Sequence, residues 1–379
     1  MILTVAQTYP TLENMYNNGF VHARVKQYRQ EGIDAKVYVI GNRSINKDYE
    51  IEGVQVLAGN SKRLADLVNS DTSIKCVCFH FLNLDMLKAI KRFRKDVRIT
   101  IFVHGNEALW WYQRIFPDRF SGFIRILKFI KYVIINTYSM IRIRNSINHL
   151  GLKTDMVFVS RWMQDETFRN WKINKELVST HIIPNLINET VFPFVEKTPE
   201  SRYNILLIRQ FTSGKYALDV AMDTICALEN KPEADRISIT VIGDGWLYDK
   251  YISRIRQYGN IHLVRGFLSH NQISEVHKKH GIFLCPTRQD AQGVSMCEAM
   301  SSGLVPISSP NTAIPEYLPD EYHLSFNDAE SMANRIIELI HNETEFLELS
   351  KKVSSFIRNK CGITETIQKE MELMNDLSH

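Results

Sequence analysis

The chain has 379 residues, of which 44% are hydrophobic and 23% charged, and its formal net charge at pH 7 is +4. This length and this apolar fraction predict a globular protein with two domains of ordinary size. A net charge so close to zero does not indicate a nucleic-acid binder. The six cysteines have no framework spacing, so they predict neither a disulfide scaffold nor a tetrahedral metal site and are typical of a reducing compartment.

The first ten residues, "MILTVAQTYP", form a β-branched apolar run. They contain no basic start, no long apolar core and no small-residue cleavage site, which are the marks of a secretory signal. We therefore expect a cytoplasmic protein.

Two segments of the chain repeat one layout. "ILTVAQTYP" from Ile2 and "ILLIRQFTS" from Ile205 are short apolar strands that break into polar loops, and each precedes a helical pattern and a second strand, "VYVIGN" or "ITVIGDG". Such units build parallel sheets with helices on both faces, so the pattern predicts two doubly wound α/β domains. Further strands are predicted at Lys75–Phe81, Arg98–Val103, Met156–Val159, His262–Val264, Ile282–Cys285 and Val305–Ser308.

The domain seam is predicted at "PFVEKTPESRY", Pro193 to Tyr203, where prolines and charges replace the periodic pattern. We expect an N-terminal domain over 1–195 and a second domain over 203–360. The last segment, 361–379, contains a helix near Glu365–Leu377 that is predicted to pack back on the first domain.

A basic amphipathic helix is predicted over residues 123–147, "FIRILKFIKYVIINTYSMIRIRNSI". Arg125, Lys128 and Lys131 recur at three-residue steps among bulky apolar side chains, and these interruptions make the segment too polar for a transmembrane span. Two interpretations stay open. The segment is a core helix with a solvated basic edge, or it rests one face on anionic lipid.

The stretch "TRQDAQGVSMCEAMSSGLVP" places two acids, Asp290 and Glu298, around Gly293 and directly after the apolar run "GIFLCP". Ligands of open parallel sheets bind beyond the carboxyl ends of the strands. We predict Asp290 in a loop, Gly293, Val294 and Ser295 at the turn into a helix, and Glu298 in the first turns of that helix. Free backbone N–H groups at a helix start suit a phosphate or a sugar oxygen, although a glutamate there also complements the helix dipole.

Two cationic side chains stand in "LLIRQFTSGKYALDVAMD": Arg209 at a strand end and Lys215 near a helix start. Together they predict a site with fixed positive charge for an anionic group. Either residue alone is more typical of a surface charge.

"DAQGVSMCEAMSSGLVPISS" resembles the acid-x7-acid signature of the retaining glycosyltransferases of family four, the glycosyl transferases group 1. "IIPNLINETVF", "VIGDGWLYDKY" and "LVRGFLSHNQISEVH" resemble further landmarks of that family. The resemblance implies the GT-B architecture, in which two Rossmann-like domains face each other across a cleft. Two features depart from the commoner pattern: Asp290 replaces a glutamate, and Ala291-Gln292 replaces a glycine and an aromatic residue.

The resemblance implies a role for each matching position of the second domain. Glu298 is the ligand of the ribose hydroxyls, Asp290 meets the donor sugar, and Arg209 and Lys215 hold the diphosphate. The remaining substrate contacts that it implies are the helix start at Gly293, Val294 and Ser295, and the border of the base at Gly266, Phe267 and Leu268.

In the first domain the resemblance singles out two loops. Gly19 in "MYNNGFVHAR" matches a glycine-rich loop near the diphosphate and acceptor, with Asn18 in place of the usual second glycine; an ordinary helix-entry turn explains Gly19 equally well. His104 in "IFVHGNE" matches a histidine that contacts the donor sugar near its reacting carbon, and Glu107 is a weaker candidate for the acceptor side.

The expected function is transfer of a hexosyl-type residue from a nucleotide-diphosphate sugar to a glycan or lipid-linked glycan, with retention, in bacterial surface polysaccharide synthesis. No Asp-x-Asp sequence occurs in the chain, so we expect no metal and no other cofactor. The expected location is the cytoplasm, including a peripheral position at the inner face of the plasma membrane. Three alternatives remain: a sugar-nucleotide epimerase of the same fold, a catalytically idle nucleotide-sugar-binding partner subunit, and a lipid-surface binding protein.

Overall fold

A computed structural model describes residues 1–12, 18–41, 47–118 and 123–375. Contacts divide the chain into two compact units. Unit 1 consists of Met1–Arg114, Ile130–Leu186 and the chain from Thr364 onward, and unit 2 consists of Ile115–Phe129 and Ile187–Ile363.

Unit 1 is built, in its described residues, around one eight-stranded sheet. Its strands are β1 (Ile2–Ala6), β2 (Ala35–Ile40), β3 (Tyr49–Ile51), β4 (Val54–Gly59), β5 (Cys76–His80), β6 (Arg98–Val103), β7 (Thr154–Phe158) and β8 (Ser179–Ile182). The order is β3-β4-β2-β1-β5-β6-β7-β8, and every pair is parallel except β3 with β4. Strands β1, β5, β6 and β7 are buried along their whole length, which explains their nearly continuous apolar sequences.

Helices flank this sheet and begin at recognisable caps. The Asn60 side chain accepts hydrogen bonds from the first backbone N–H groups of one helix, and Ser160 does the same for another. The helices of unit 1 are α1 (Gly19–Gln30), α2 (Ser61–Ser70), α3 (Leu84–Ile90), α4 (Phe123–Ile147, in unit 1 from Ile130), α5 (Arg161–Trp171) and α13 (Ile363–Asn375).

Unit 2 contains a five-stranded, fully parallel sheet in the order β11-β10-β9-β12-β13. Its strands are β9 (Asn204–Ile208), β10 (Ser238–Gly243), β11 (Ile261–Arg265), β12 (Ile282–Leu284) and β13 (Val305–Ile307). Its helices are α6 (Leu218–Glu229), α7 (Tyr248–Ile252), α8 (His270–Lys279), α9 (Val294–Ser301), α10 (Ile314–Tyr317), α11 (Ala329–His341) and α12 (Glu343–Cys361). Each strand predicted from the sequence is present.

The C-terminal helix α13 packs inside unit 1 through a buried charge cluster. Arg24 of α1 donates from Nε to Glu370 of α13 at 2.8 Å, and both side chains are fully buried. The same guanidinium donates to the Asn185 side chain and to the Pro184 carbonyl, each at 3.1 Å. The Tyr28 hydroxyl also donates to Glu370. Every nitrogen of the Arg24 guanidinium therefore has a partner. Residues 376 and 377 of the predicted helix lie outside the described residues.

The division between the units falls at Leu186–Ile187, ahead of the predicted seam at Pro193–Tyr203. The segment that follows packs on unit 2, where the Ser301 hydroxyl donates to the Phe192 carbonyl and the buried Lys197 ammonium donates to the His277 carbonyl. The proline-rich and charged segment that was predicted as the seam is therefore part of unit 2.

Residues 115–129 belong to unit 2, although the surrounding chain belongs to unit 1. Asp118 accepts hydrogen bonds from the Lys250 ammonium and the Tyr251 hydroxyl. The Arg125 guanidinium lies against the Trp246 ring. No local sequence pattern predicts this excursion, because its partners lie more than a hundred residues away in the chain.

Helix α4 differs in burial between its two halves. Its later turns bury Asn136, Met140 and Ile143, whereas none of residues 124–135 is buried. Half of the exposed large apolar side chains found in the described residues lie on this helix: Ile124, Ile126, Leu127, Ile130, Ile134, Ile135, Tyr138 and Ile141. None of the described helices is long and apolar enough to cross a membrane.

Candidate active site

The loops that follow β9, β10, β11 and β12 meet at one edge of the unit 2 sheet, because the strands are parallel. Two glycines allow backbone segments to approach each other closely at this edge. A Cβ at Gly243 would lie 1.9 Å from the Arg209 carbonyl oxygen, and one at Gly245 would lie 2.3 Å from the Phe211 carbonyl oxygen. The "IGDG" turn therefore tolerates no side chain at either glycine.

Arg209 follows β9 and is only 8% exposed. Its Nη1 donates to the Ser295 hydroxyl at 2.8 Å and its Nη2 donates to the Cys285 carbonyl at 3.1 Å. The buried Nε has no hydrogen-bond partner, and no acid among the described residues forms an ion pair with this guanidinium. A buried cation left without a counterion is costly, so this arrangement favours an anionic ligand.

Lys215 lies in the short 3₁₀ helix Gly214–Tyr216 between β9 and α6. Its ammonium is 4.6 Å from the centre of the Tyr216 ring, and the Arg209 guanidinium is 5.8 Å from the same ring. The Lys215 ammonium forms no ion pair with a described residue. The structure thus gathers the two predicted diphosphate ligands around one aromatic side chain.

Arg288 holds the Lys215 loop in place and was not anticipated from the sequence. Its backbone N–H donates to the Lys215 carbonyl at 2.7 Å, and its guanidinium donates to the Gly214 carbonyl at 2.9 Å and to both carboxylate oxygens of Asp219. Arg288 is therefore a positioning residue for Lys215. Its position two residues before Asp290 could have drawn attention to it in the sequence. Its partners are about seventy residues away, so its role was not predictable.

Asp290 has a local structural contact. One carboxylate oxygen accepts from the Gly293 backbone N–H at 2.7 Å and from the Gln292 N–H at 3.2 Å. This Asx-type turn leads into α9, and Gly293 takes a left-handed conformation with φ 78°. The aspartate thereby shapes the loop that is predicted to contact the donor sugar. Its sugar-facing role stays a prediction.

Glu298 lies in the second turn of α9, one turn after Ser295, so the two side chains share a helix face. Ser295 accepts the hydrogen bond from Arg209, which places Glu298 on the face that meets the cations. The Glu298 carboxyl group forms no hydrogen bond with a described residue, and burial raises its pKa to about 8. Its roles toward ribose, and those of Val294 and Ser295, remain predictions.

The turn after β11 presents an exposed aromatic ring. Gly266 has φ 146°, and its N–H donates to the Gly243 carbonyl at 3.1 Å. Phe267 is 61% exposed, which suits a stacking surface for a base, and Leu268 beside it is partly exposed. The base contact itself is untested.

His104 lies in unit 1, at the carboxyl end of β6. Its Nε2 is 2.9 Å from Nδ1 of His80, and its ring is 4.6 Å from the Phe81 ring. Burial, followed by the charge of Arg24, lowers the pKa of His104 well below its usual value. The imidazole is therefore neutral near pH 7 and suited to hydrogen bonding with hydroxyl groups, not to forming an ion pair.

The loop after His104 is held by Glu107. The Glu107 carboxylate accepts from the His104 N–H at 2.6 Å and from the Gly105 N–H at 3.1 Å, and burial raises its pKa to about 7.

At the other predicted loop of unit 1, Gly19 begins α1 and has open space where a Cβ would stand. Asn18 takes the left-handed conformation instead, with φ 55°. These contacts fit a helix-entry turn, and residues 15–17 of the same segment lie outside the described residues.

No group of three His, Cys, Asp or Glu side chains is arranged to hold a metal ion in the part of the chain that the structure describes. The prediction that no metal is needed stays a prediction.

Two α/β units with parallel sheets and loops gathered at the carboxyl edges define a class of fold, that of the GT-B glycosyltransferases. The structure of a glycosyltransferase from Rickettsia africae ESF-5 matches with a TM-score of 0.70 and 15% identity over 100% of this chain and 98% of that one. HepE of Anabaena, in a complex with UDP and glucose, matches with a TM-score of 0.67 and 11% identity over 99% of each chain. The predicted fold class is confirmed.

At the level of sequence, residues 189–360 match the family model of the glycosyl transferases group 1. The phosphatidylinositol N-acetylglucosaminyltransferase gpi3 subunit of Schizosaccharomyces pombe is 24% identical over 225 residues, which cover 56% of this chain and 44% of that protein. The match therefore spans less than half the length of this curated relative. The family match covers most of unit 2, where the predicted donor site lies.

Proposed function

We propose that this protein is a retaining hexosyltransferase that uses a nucleotide-diphosphate sugar and a glycan or lipid-linked glycan acceptor. Unit 2 binds the donor, with Glu298 on the ribose hydroxyls, Phe267 beside the base, and Arg209 and Lys215 on the diphosphate. The role proposed for the protein in the cell is bacterial surface polysaccharide synthesis, with the enzyme in the cytoplasm or at the inner face of the plasma membrane.

The proposed chemistry depends on charge that develops during the reaction. As the sugar–oxygen bond breaks, negative charge grows on the nucleotide diphosphate while the sugar carbon becomes oxocarbenium-like. Arg209, Lys215 and the first backbone N–H groups of α9 stabilise that leaving group more strongly in the transition state than in the ground state. No metal is required in this scheme, because side chains and the helix start carry the positive charge. Retention follows when the acceptor hydroxyl attacks from the side that the leaving group vacates and transfers its proton to the departing diphosphate oxygen.

One observation carries the proposal. Arg209 is buried, lacks a counterion and keeps an unpartnered Nε, while it contacts the helix that bears Glu298 and shares the Tyr216 ring with Lys215. Cations without a counterion among the described residues, together with a carboxyl group that forms no hydrogen bond to a described residue, match the needs of a nucleotide diphosphate and its ribose.

A thermal-shift panel of nucleotide sugars tests the donor site. At a hundred times its dissociation constant, the correct donor adds about 2.7 kcal/mol to the free energy of unfolding. We expect Glu298→Ala to lose most of this stabilisation and Lys279→Ala, an exposed lysine on α8, to keep it. The proposal fails if no nucleotide sugar stabilises the wild-type protein, or if Glu298→Ala is stabilised equally. NMR of the product anomer then tests retention.

We also propose that α4 rests on anionic lipid. The exposed apolar side chains of this helix adjoin Lys128 and Lys131, which are exposed as well, so the helix offers both apolar area and positive charge to a membrane surface. Arg125 is a poor test position, because its guanidinium lies against Trp246.

Flotation with vesicles that contain phosphatidylglycerol tests this contact. We expect the double variant Lys128→Gln/Lys131→Gln to float less than wild type. Lys278→Gln/Lys279→Gln on α8 removes the same charge and serves as the control. Equal flotation of the two double variants would argue against a lipid contact through α4.

A further inference from the structure

Unit 1 contains a pocket of about 500 Å³ at the carboxyl edge of its own sheet. The loops after β1, β5 and β6 form one side of the pocket, and the unit 1 part of α4 forms the other. Glu107, which holds the His104 loop, is among the lining residues. The pocket therefore lies beside the strand ends of unit 1.

The loop side of the pocket is mostly polar. The loop side carries amide side chains, including Asn18, Asn83 and Asn106. Asn18 donates from Nδ2 to Thr8, which leaves its carbonyl oxygen for a ligand, and Asn83 caps α3 with Oδ1, which leaves its amino group. The oxygen of Asn18 can accept a hydrogen bond from a ligand hydroxyl group, and the amino group of Asn83 can donate one.

The α4 side mixes apolar and polar side chains: Ile135, Met140 and Ile143 are apolar, and Tyr132, Asn136 and Ser139 are polar. Met140 and Ile143 are buried, so the exposed Ile135 is the apolar side chain of the three that extends to the outer surface of the helix. On that outer surface lie the exposed Ile134 and Tyr138. An alkyl chain leaving the pocket along α4 would stay in contact with apolar surface.

The pocket has no positive charge in its described lining. No lysine, arginine or histidine is among these residues, and Glu107 supplies a carboxyl group. A phosphate or carboxylate in the pocket would lack a cation and face that acid. An uncharged polyol would find amide partners instead.

We propose that this pocket binds the acceptor, and that the acceptor is an amphiphile with an uncharged, hydroxyl-rich head and an apolar anchor. The head contacts the amides of the loop side, and the anchor runs along Ile135 of α4. This inference rests on the proposed function, because it assigns the second substrate of that same reaction. It narrows the acceptor class to glycolipid-like molecules.

A series of alkyl glucosides, kept below their micelle concentrations, tests the pocket by calorimetry. From methyl through hexyl to octyl β-glucoside, we expect the affinity for the wild-type protein to rise by up to about four-fold for each buried methylene group. Octyl phosphate, which has the same chain and an anionic head, is expected to bind at least ten-fold more weakly than octyl glucoside. Equal affinity for methyl and octyl glucoside, or tight binding of octyl phosphate, would overturn the proposal.

Two matched variants locate the binding. Ile135 is 52% exposed and Leu177, which does not line the pocket, is 53% exposed. We expect Ile135→Asp to flatten the chain-length dependence and Leu177→Asp to leave it intact. Ile135→Ser repeats the measurement without an added charge if the aspartate variant fails to fold. An unchanged series in the Ile135 variants would place the binding elsewhere and overturn the assignment.

A nucleotide-sugar thermal shift on the same wild-type and variant preparations separates this inference from the proposed function. If the glucoside series appears and no nucleotide sugar binds, the donor proposal is wrong and the pocket still takes an amphiphile. If the donor binds and the series is absent, only the acceptor inference is wrong.

Discussion

Two buried arginines, one in each unit, show how similar groups serve different purposes. Arg24 in unit 1 has a partner for each guanidinium nitrogen and a fully buried counterion, Glu370. Arg209 in unit 2 has only neutral partners, the Ser295 hydroxyl and the Cys285 carbonyl, and its Nε has none. A buried charge with a counterion is tolerated in a fold and destabilises it when the counterion is removed, whereas a buried charge without one indicates a ligand of opposite charge.

The largest expected effect concerns the compensated pair. Glu370→Ala leaves Arg24 buried without its counterion, so we expect the free energy of unfolding to fall by about 3–5 kcal/mol. Glu372→Ala, an exposed acid on the same helix, should change it by less than about 0.5 kcal/mol. Urea denaturation measures both. Similar values for the two variants would mean that the Arg24 cluster does not stabilise unit 1.

The next effect concerns the uncompensated cations. Lys215→Ala removes a positive charge that acts on the leaving group, and we expect kcat to fall by about 10²–10³-fold. The apparent donor affinity should change much less, because the interaction strengthens as the bond breaks. Steady-state kinetics with Lys279→Ala as the control measures the difference. A loss confined to donor KM would assign Lys215 to ground-state binding only.

A smaller effect is expected for the carboxyl group of the donor site. Glu298→Ala leaves the ribose hydroxyls without their partner, and an unsatisfied buried polar group costs about 1–3 kcal/mol, so donor Kd should rise by roughly 5–150-fold. A deoxyribose donor analogue provides the complementary test. The analogue should bind the wild-type protein more weakly than the ribose donor does. To Glu298→Ala, the analogue and the ribose donor should bind with about the same affinity. If the affinity losses from the mutation and from the missing ribose hydroxyl are additive, Glu298 does not contact the ribose.

The last prediction concerns the pH dependence of stability without ligand. Because burial raises the pKa of Glu298 to about 8, above its value near 4.3 in the unfolded chain, the folded protein binds the extra proton between these values. Its contribution to stability is therefore lost as pH rises through 8. We expect Tm of Glu298→Gln relative to wild type to increase from pH 5.5 to pH 8.5. A constant or falling difference would contradict the buried, proton-binding carboxyl group.

Much of the fold was predictable because buried parallel strands leave long apolar runs in the sequence. The strand Arg98–Val103 has the same bounds in the prediction and in the structure, and β13 differs by one residue. Helix α9 was predictable as well, since Gly293 supplies the left-handed turn at its start.

The contacts that complete each unit were not predictable, because they join residues that are distant in the chain. Arg288 reaches Asp219 and Gly214, and the segment 115–129 reaches Lys250 and Trp246. The Asx turn of Asp290 is local, but a carboxylate in a loop has the same sequence whether it caps a turn or contacts a sugar. Residue type and spacing placed the candidate site, and long-range packing gave its residues their partners.

The pairing of Arg24 with Glu370 has a consequence for how the chain folds during synthesis. These two residues are 346 positions apart, so the first is translated long before the second emerges from the ribosome. Unit 2 has all of its residues available once Ile363 has emerged, whereas unit 1 must wait for α13 to neutralise its arginine. The N-terminal half of this protein is therefore expected to mature last, an inversion of the usual vectorial order.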